Sequence, residues 1–445
     1  MRLLTHRLTI VGAFLFATGI ASADQWPEFR GPTGQGHSAE QGLPLEWSES
    51  RNVRWKVPVP GAGWSSPVIA DGRIWLTTAT EGEAGKGRRN GISLRALAFD
   101  VSTGRELVNV EVFRVDRPEA INGKNSRASP TPIVDGDRVY VHFGAEGTAA
   151  LSTSGEVLWR TRLAYASQHG SGGSPILYGD RLIVNCDGNG GDAFVAALDV
   201  RTGKIRWRTE RRQPADQAYS TPLVIRVGDQ DQVVSVGAYR TAAYDPATGK
   251  EIWRVSYGDG FSNVPRPVYG DGLVYIATGF QQPALLAVRT DGKGDVTNTH
   301  VAWSLKRAAP YTPSPVLVQG QLYVVSDGGI ASCIDAATGS IRWQHRLPGG
   351  YSASPVFADG RIYFLNEDGM CTALPAGFVA RSVNELARAA IGRNHPVPHH
   401  CAISIGVETG GTPWRRERRS SLWLSGLRCW RSPPGRPSLQ PSGWH

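Results

Sequence analysis

Ala197-Leu198-Asp199-Val200-Arg201-Thr202-Gly203-Lys204-Ile205-Arg206-Trp207 is the stretch on which the fold turns. Residues 243 to 253 repeat its pattern through Ala243, Asp245, Thr248, Gly249 and Trp253. Residues 333 to 343 repeat it with Cys333 in the alanine place. Ala98, Asp100, Thr103 and Gly104 repeat it with Val108 in the tryptophan place. Asp and Thr hydrogen-bond their own backbone in a tight turn, and Gly supplies the positive φ that a hairpin needs. A Trp at a fixed place in the next strand packs flat against the following unit and buries ~150–250 Å2.

Outward from this turn the chain is periodic. Strand sets start at Ser66-Pro67-Val68, Ser129-Pro130-Thr131-Pro132, Ser174-Pro175-Ile176, Thr221-Pro222-Leu223, Arg266-Pro267-Val268, Ser314-Pro315-Val316 and Ser354-Pro355-Val356. The closing tryptophans Trp159, Trp207, Trp253, Trp303 and Trp343 are 48, 46, 50 and 40 residues apart. Alternation in Arg361-Ile362-Tyr363-Phe364-Leu365 suits a half-buried antiparallel strand. A period of roughly 40–50 residues with four strands per unit is that of a β-propeller, whereas separate sandwich domains need far longer units. The fold class is therefore all-β: a seven- to eight-bladed β-propeller of four-stranded antiparallel blades over residues 24–375. Asn52-Val53-Arg54-Trp55-Lys56-Val57 reads as a fourth strand with its Trp but precedes the first unit. It is expected to complete the last blade and close the ring, because an open ring leaves an unpaired sheet edge.

Composition narrows the function. Of 445 residues 53 are Gly, about 12 % against a usual ~7 %, and 29 are Pro, which fits many tight turns. The formal charge is +9, but residues 376–445 hold ten Arg against three acids, and Arg2 and Arg7 stand at the extreme N-terminus. The remaining body is neutral and lacks the broad basic face that a nucleic-acid backbone requires. Five Cys exclude a disulfide-built scaffold, and Cys186, Cys333 and Cys371 read as buried thiols. After the first 23 positions no apolar run is long enough to span a membrane.

Both termini differ from the repeats. Residues 1–23 run from Arg2 and Arg7 through an apolar stretch to Ala21-Ser22-Ala23, the order of a secretory signal peptide cleaved after Ala23. A periplasmic or secreted protein, expected as a monomer, follows. Residues 376–445 have no Lys, Asp or Tyr and no repeat start. They read as a disordered basic tail or as the frame-shifted remnant of an eighth repeat.

The Ala-x-Asp-x-x-Thr-Gly-x-x-x-Trp pattern resembles the tryptophan-docking motif of the pyrroloquinoline-quinone (PQQ) repeat propellers, over about residues 26–375. Trp26-Pro27-Glu28-Phe29-Arg30-Gly31-Pro32 and Ala353-Ser354-Pro355-Val356 resemble a group of exported bacterial PQQ-like propeller proteins. The resemblance implies kinship in fold with the propeller subunit of outer-membrane protein assembly and with quinoprotein alcohol dehydrogenases. The latter hold their quinone with Ca2+ ligands and a catalytic Asp, and many carry adjacent cysteines. This sequence has no Cys-Cys pair.

Chemistry-bearing motifs are few. Asp187-Gly188-Asn189-Gly190-Gly191-Asp192 is oxygen-rich in the manner of a Ca2+ loop, but it falls where a plain turn is expected. Asp291-Gly292-Lys293-Gly294-Asp295 reads the same way, with Lys293 opposing a cation. Among the six His before the tail no pair has metal spacing, and neither a nucleophile elbow nor a phosphate loop occurs. No catalytic residue and no metal ligand is assigned. In a propeller the second-to-third loops and the links between blades share one face. There the side chains before each innermost strand vary: Trp64, Asn125, Arg127, His169, Tyr219, Asn263, Arg266, Tyr311 and Tyr351. These are the candidates for the channel mouth, where ligands or partner loops bind. Residues 81–93 form a long charged, glycine-rich loop, read as a lid or a plain excursion. The sequence thus favours a non-catalytic propeller that binds a protein, peptide or small ligand at the mouth, with no cofactor. The alternatives are a PQQ-dependent alcohol or sugar dehydrogenase using PQQ with Ca2+, and an outer-membrane assembly scaffold that binds chains by strand addition.

Overall fold

Seven sheets follow one another along the chain at 68–115, 133–161, 176–210, 223–256, 268–305, 316–346 and 356–375. They are numbered blades 1 to 7. The computed structural model describes residues 25–48, 50–81, 91–167, 169–189, 191–211, 216–280, 282–307, 309–377 and 402–405. Blades 1 to 6 have four antiparallel strands each, blade 4 gaining a short fifth, parallel strand from residues 294–295, and blade 7 has three among the described residues. The signal-peptide reading of 1–23 lies outside the described residues. So do most of the tail and of the 81–93 loop. Among the described residues no helix is long and apolar enough to cross a membrane.

The repeat signature has a packing cause. In the last strand pair of a blade the Trp lies directly across from a small residue: Ala150↔Trp159, Ala197↔Trp207, Ala243↔Trp253, Ala287↔Trp303 and Cys333↔Trp343. The register shifts by one residue just after that pair, which turns the Asp into the hairpin. Asp199 Oδ1 then accepts hydrogen bonds from Thr202 Oγ1 at 2.9 Å and Thr202 N at 2.8 Å. The Thr202 hydroxyl, chief among these donors, holds the Asp199 carboxyl down to about 2. The turn ends at Gly203, φ +69, and a Cβ there would stand 2.5 Å from the Trp159 ring of the preceding blade. Trp159 Nε1 donates to Val200 O at 3.0 Å, Trp207 Nε1 to Pro246 O at 3.0 Å and Trp303 Nε1 to Ala336 O at 2.9 Å. Each indole is thus clamped by the turn of the next blade.

The apolar core is divided among the wedges between blades. Val68, Trp75 and Ala96 meet Val139, Val141 and Leu151 between blades 1 and 2, and five comparable clusters follow round to blade 7. The two free faces at the ends of this series are covered by N-terminal residues. Trp26, Trp55 and Val57 pack on blade 1, and Leu43 and Trp47 pack on blade 7. The strand expected at 52–57 forms at Trp55–Pro58. It pairs antiparallel with Ala402–Ile405, a strand of the segment read as tail, and not with Cys371–Pro375 of blade 7. Trp55 fixes its place, since Nε1 donates to Val101 O at 3.1 Å and the ring lies over Gly104. It docks on blade 1 as the outer strand of a further unit would.

Blade 5 departs from the rule. Its Asp291-to-Asp295 segment is no cation loop: Gly294–Asp295 pairs in parallel with the outer strand of blade 4. Asp295 Oδ1 takes the Thr297 hydroxyl at 2.6 Å. The blade 4 indole therefore meets no docking turn, and Trp253, fully buried, donates instead to Gln232 Oε1 at 2.8 Å.

Candidate functional site

In a propeller the innermost strands leave backbone groups unpaired along the channel, and these need partners. The chain supplies them itself. Trp26 and Ile69 exchange two backbone bonds of 2.9 Å in blade 1, and Pro27 O accepts from Val134 N of blade 2 at 2.9 Å. Gln35 Oε1 accepts from Tyr269 N of blade 5 at 2.6 Å. Gly36 O accepts from Phe357 N of blade 7 at 2.8 Å, and Leu43 N reaches Asp359 Oδ2 at 3.2 Å. Residues 26–38 thus run against the inner strands as a plug.

Three charged side chains lock it. Arg266 Nε donates to Pro222 O at 3.0 Å, and its Nη1 meets Glu28 Oε1 at 3.2 Å and Phe29 O. Arg30 Nη2 donates to Pro315 O at 2.6 Å and Gln35 O at 2.9 Å, while Nη1 reaches Pro355 O at 3.4 Å. Arg30 and Arg266 are both buried. Burial, aided by the Arg266 charge, pushes the Arg30 guanidinium down to about 9. Burial raises the Glu28 carboxyl, and the Arg266 charge opposes that rise. From Trp26 to Ser38 these contacts reach the innermost strands of blades 1, 2, 5 and 7 and the strand start of blade 6, so the plug lies on the channel axis.

Around it the Ser/Thr-Pro starts form a belt. Ser66 N donates to Thr131 Oγ1, Thr131 N to Ser174 Oγ, and Ser174 N to Thr221 Oγ1, each at 2.9 Å. Arg266 N donates to Ser314 Oγ and Ser314 N to Ser354 Oγ, again at 2.9 Å. Each hydroxyl satisfies the amide that opens the preceding blade. Arg266 stands where the other starts carry a hydroxyl, and its side chain enters the channel instead.

The nine sequence candidates separate accordingly. Asn263, Arg266 and Tyr351 are buried and hold the scaffold: Asn263 Nδ2 donates to Tyr257 Oη at 3.0 Å, and Tyr351 N to Asp327 O at 3.0 Å. Asn125 Nδ2 ties down His169 O at 2.8 Å and Ser171 O at 3.1 Å, and Arg127 bonds Glu119 O. Trp64 and Tyr219 are half-buried on the loop face, His169 holds a left-handed φ of 70°, and Tyr311 is exposed. Asn125 thus meets His169, and Tyr219 N donates to Asn263 O at 2.8 Å, so neighbouring candidates join one another across the links between blades. The plug residues Glu28, Arg30 and Gln35, missed as site residues, carry a sequence signal: charges among glycines, without strand alternation, ahead of the first blade.

Between blades 2, 3 and 4 the loop face has a small cleft lined by His142, Tyr165, Ser171, Asn185, Asp187 and Tyr219. Asp187 belongs to a buried network and not to a Ca2+ loop. Its Oδ1 lies 3.1 Å from Arg211 Nε, and both side chains are almost wholly buried. Arg211 also bonds Ser235 Oγ, which donates to Asn185 Oδ1 at 2.7 Å. Among the described residues no group of His, Cys, Asp and Glu is placed to hold a metal ion. His142 Nδ1 shares a hydrogen bond of 2.8 Å with Thr148 Oγ1, and burial pushes the imidazole down to about 4. In the unfolded chain His titrates near ~6.5, so the unfolded state takes up this proton first as pH falls. Between pH 7.5 and 4.5 the wild type should lose roughly 2–3 kcal/mol more than His142→Gln, read from urea unfolding at each pH. Parallel losses in the two proteins would disprove it.

The sequence matches the family described as "Outer membrane protein assembly factor BamB" over residues 40–171, 91–240 and 295–377, well over half the chain. No curated protein sequence matches it. Among solved structures it is similar to BamB from Moraxella catarrhalis, at 14 % identity and a TM-score of 0.48, covering 72 % of this chain and 98 % of that one. It is also similar to quinohemoprotein alcohol dehydrogenase ADHIIG from Pseudomonas putida HK5, at 13 % identity and a TM-score of 0.50. That match covers 79 % of this chain and 76 % of the other, and at such identity the likeness is one of fold. With its docked indoles, its hydroxyl belt and its matched repeats, the chain belongs to the PQQ-like β-propeller family described as outer membrane protein assembly factor BamB.

Proposed function

We propose that this chain is an exported, non-catalytic propeller that recognises a protein partner on its loop face. One observation carries the reading: residues 26–38 bond the innermost strands of blades 1, 2, 5 and 7 and so occupy the axis, which leaves recognition to the rim. The family's description, an assembly factor, favours a protein over a small ligand. Export is supported by the charged, apolar, small-residue order of residues 1–23.

The quinone alternative meets a direct obstacle. A planar quinone on the axis needs the space that Glu28, Arg30 and Arg266 fill. Its Ca2+ would face two buried guanidiniums, which repel a cation in a poorly solvated site. The residues present do not fit that group.

The test has two arms. Titration with PQQ and Ca2+, followed by alcohol-dependent dye reduction, is expected to show neither retained quinone nor turnover. A photo-crosslinking residue at Tyr311 is expected to trap an envelope protein that the same residue at Ile205, on an outer strand, does not. A stoichiometric quinone complex with turnover, or equal trapping at both positions, overturns the reading.

A further inference from the structure

Four aromatic side chains form a row across three blades of the loop face. Tyr239 lies in a loop of blade 4 and stands 6.1 Å from Phe261, in the link to blade 5. Phe261 meets Phe280 edge-on at 5.7 Å, and Phe280 meets Tyr311, in the link to blade 6, at 6.4 Å. Phe280 is 54 % exposed and Tyr311 39 %. The only other large hydrophobic side chains this exposed among the described residues are Leu158 and Ile205, both on outer strands. The backbone fixes the row: Phe280 N donates to Phe261 O at 2.8 Å and Tyr239 N to Gly260 O at 2.6 Å. Rings held this firmly lose little freedom when a partner docks.

Carboxylates accompany the rings. Tyr239 Oη bonds Asp216. Asp259 Oδ2 accepts from Gln282 Nε2 at 3.2 Å. Asp327 accepts from Tyr311 N at 2.8 Å, Thr312 N at 3.2 Å and Thr312 Oγ1 at 2.5 Å. All these donors are neutral, so none cancels a carboxylate charge. The exposed Lys306 and Arg307, at the end of the last strand of blade 5, form no described ion pair with them.

We infer that this row docks an extended peptide segment of a partner protein in which Lys or Arg residues lie between apolar side chains. This deepens the partner-recognition reading and rests on it. Apolar side chains cover the exposed rings, which is how aromatic residues come to dominate interfaces. The cations pair with the carboxylates and sit over ring faces. An acidic segment is repelled.

The test uses the full chain and two fluorescein-labelled decapeptides, one alternating Leu with Lys, the other Leu with Glu. The Leu/Lys peptide is expected to bind, and the Leu/Glu peptide is not. The F280A/Y311A double variant should weaken binding at least ~10-fold, and D259N about 2–3-fold, the latter loss fading with salt. Both variants alter exposed side chains and should keep the wild-type thermal midpoint. Equal affinity for the two peptides, or full affinity in F280A/Y311A, overturns the inference. If binding survives the double variant and hydrogen exchange protects the surface round Trp64 and Tyr219, partner recognition stands and the row does not. If neither peptide binds and the chain retains quinone, the parent reading falls as well. Concentration-dependent dimerisation abolished by F280A/Y311A would assign the row to a second copy and overturn the peptide.

Discussion

Arg266→Met should destabilise the chain by about 2–3 kcal/mol, because it strips the half-buried Glu28 carboxylate of its partner while leaving the carboxylate in place. Glu28 would then lose both guanidinium contacts, at 3.2 and 3.3 Å. Its pKa, already raised by burial in the wild type, rises further once the opposing charge is gone. A carboxyl raised in the folded state destabilises at pH above its folded pKa and is relieved as pH falls through it. The deficit of Arg266→Met should therefore shrink from pH 8 towards pH 5. Adding Glu28→Gln should recover most of it at pH 8. The plug should loosen with it: the amides of Ile69, Val134 and Phe357, bonded to residues 26, 27 and 36, should exchange faster. An unchanged urea midpoint with unchanged exchange at these amides would show that the plug is not held by this pair.

What the sequence revealed, and what it hid, follow from the range of the interactions. The Asp-x-x-Thr-Gly turn is visible because the bonds from Thr202 to Asp199 lie within four residues, and the same atoms recur wherever the pattern recurs. The Trp places were visible for the same reason, although the clamp they enter belongs to another blade. The plug was invisible as a plug. Arg30 bonds Pro315 and Pro355 across some 300 residues, and nothing local in Trp26-Pro27-Glu28-Phe29-Arg30 points to them. Arg266 did carry a signal, as the odd residue in a series of hydroxyls. Its charge was read as a rim feature because its partner Glu28 is distant in sequence. Tyr351 and Asn263 were placed at the rim by position alone, while packing against their neighbours buries both. In the aromatic row Tyr311, three residues before a Ser-Pro start, is legible, whereas Phe261 and Phe280 stand farther from any strand start and carry no repeat signal.

Gly249→Ala should cost about 3–4 kcal/mol, and the reason divides into two parts that can be measured separately. The first is backbone. Gly249 holds φ at +73°, and an L side chain in the left-handed region costs ~1–2 kcal/mol. The second is the indole. A Cβ at Gly249 would stand 2.5 Å from the Trp207 ring and 2.8 Å from Thr209 Oγ1, so the ring must leave its seat. Its bond to Pro246 O at 3.0 Å, and part of the wedge between blades 3 and 4, would go with it. Gly228→Ala isolates the first part, since its φ is +55° and nothing lies within 4 Å of the added methyl. It should cost no more than the backbone share. Trp207→Ala isolates the second; valine would not, since Val108 at the same place in blade 1 stands 2.7 Å from where a Cβ on Gly155 would be. In the Trp207→Ala background the cost of Gly249→Ala should fall towards that of Gly228→Ala, a coupling of about 2 kcal/mol in the double-mutant cycle. Additive losses would mean that the turn and the indole are independent. The tryptophan would then be reduced to buried area, and the clamp would no longer explain why the motif keeps Trp and Gly together.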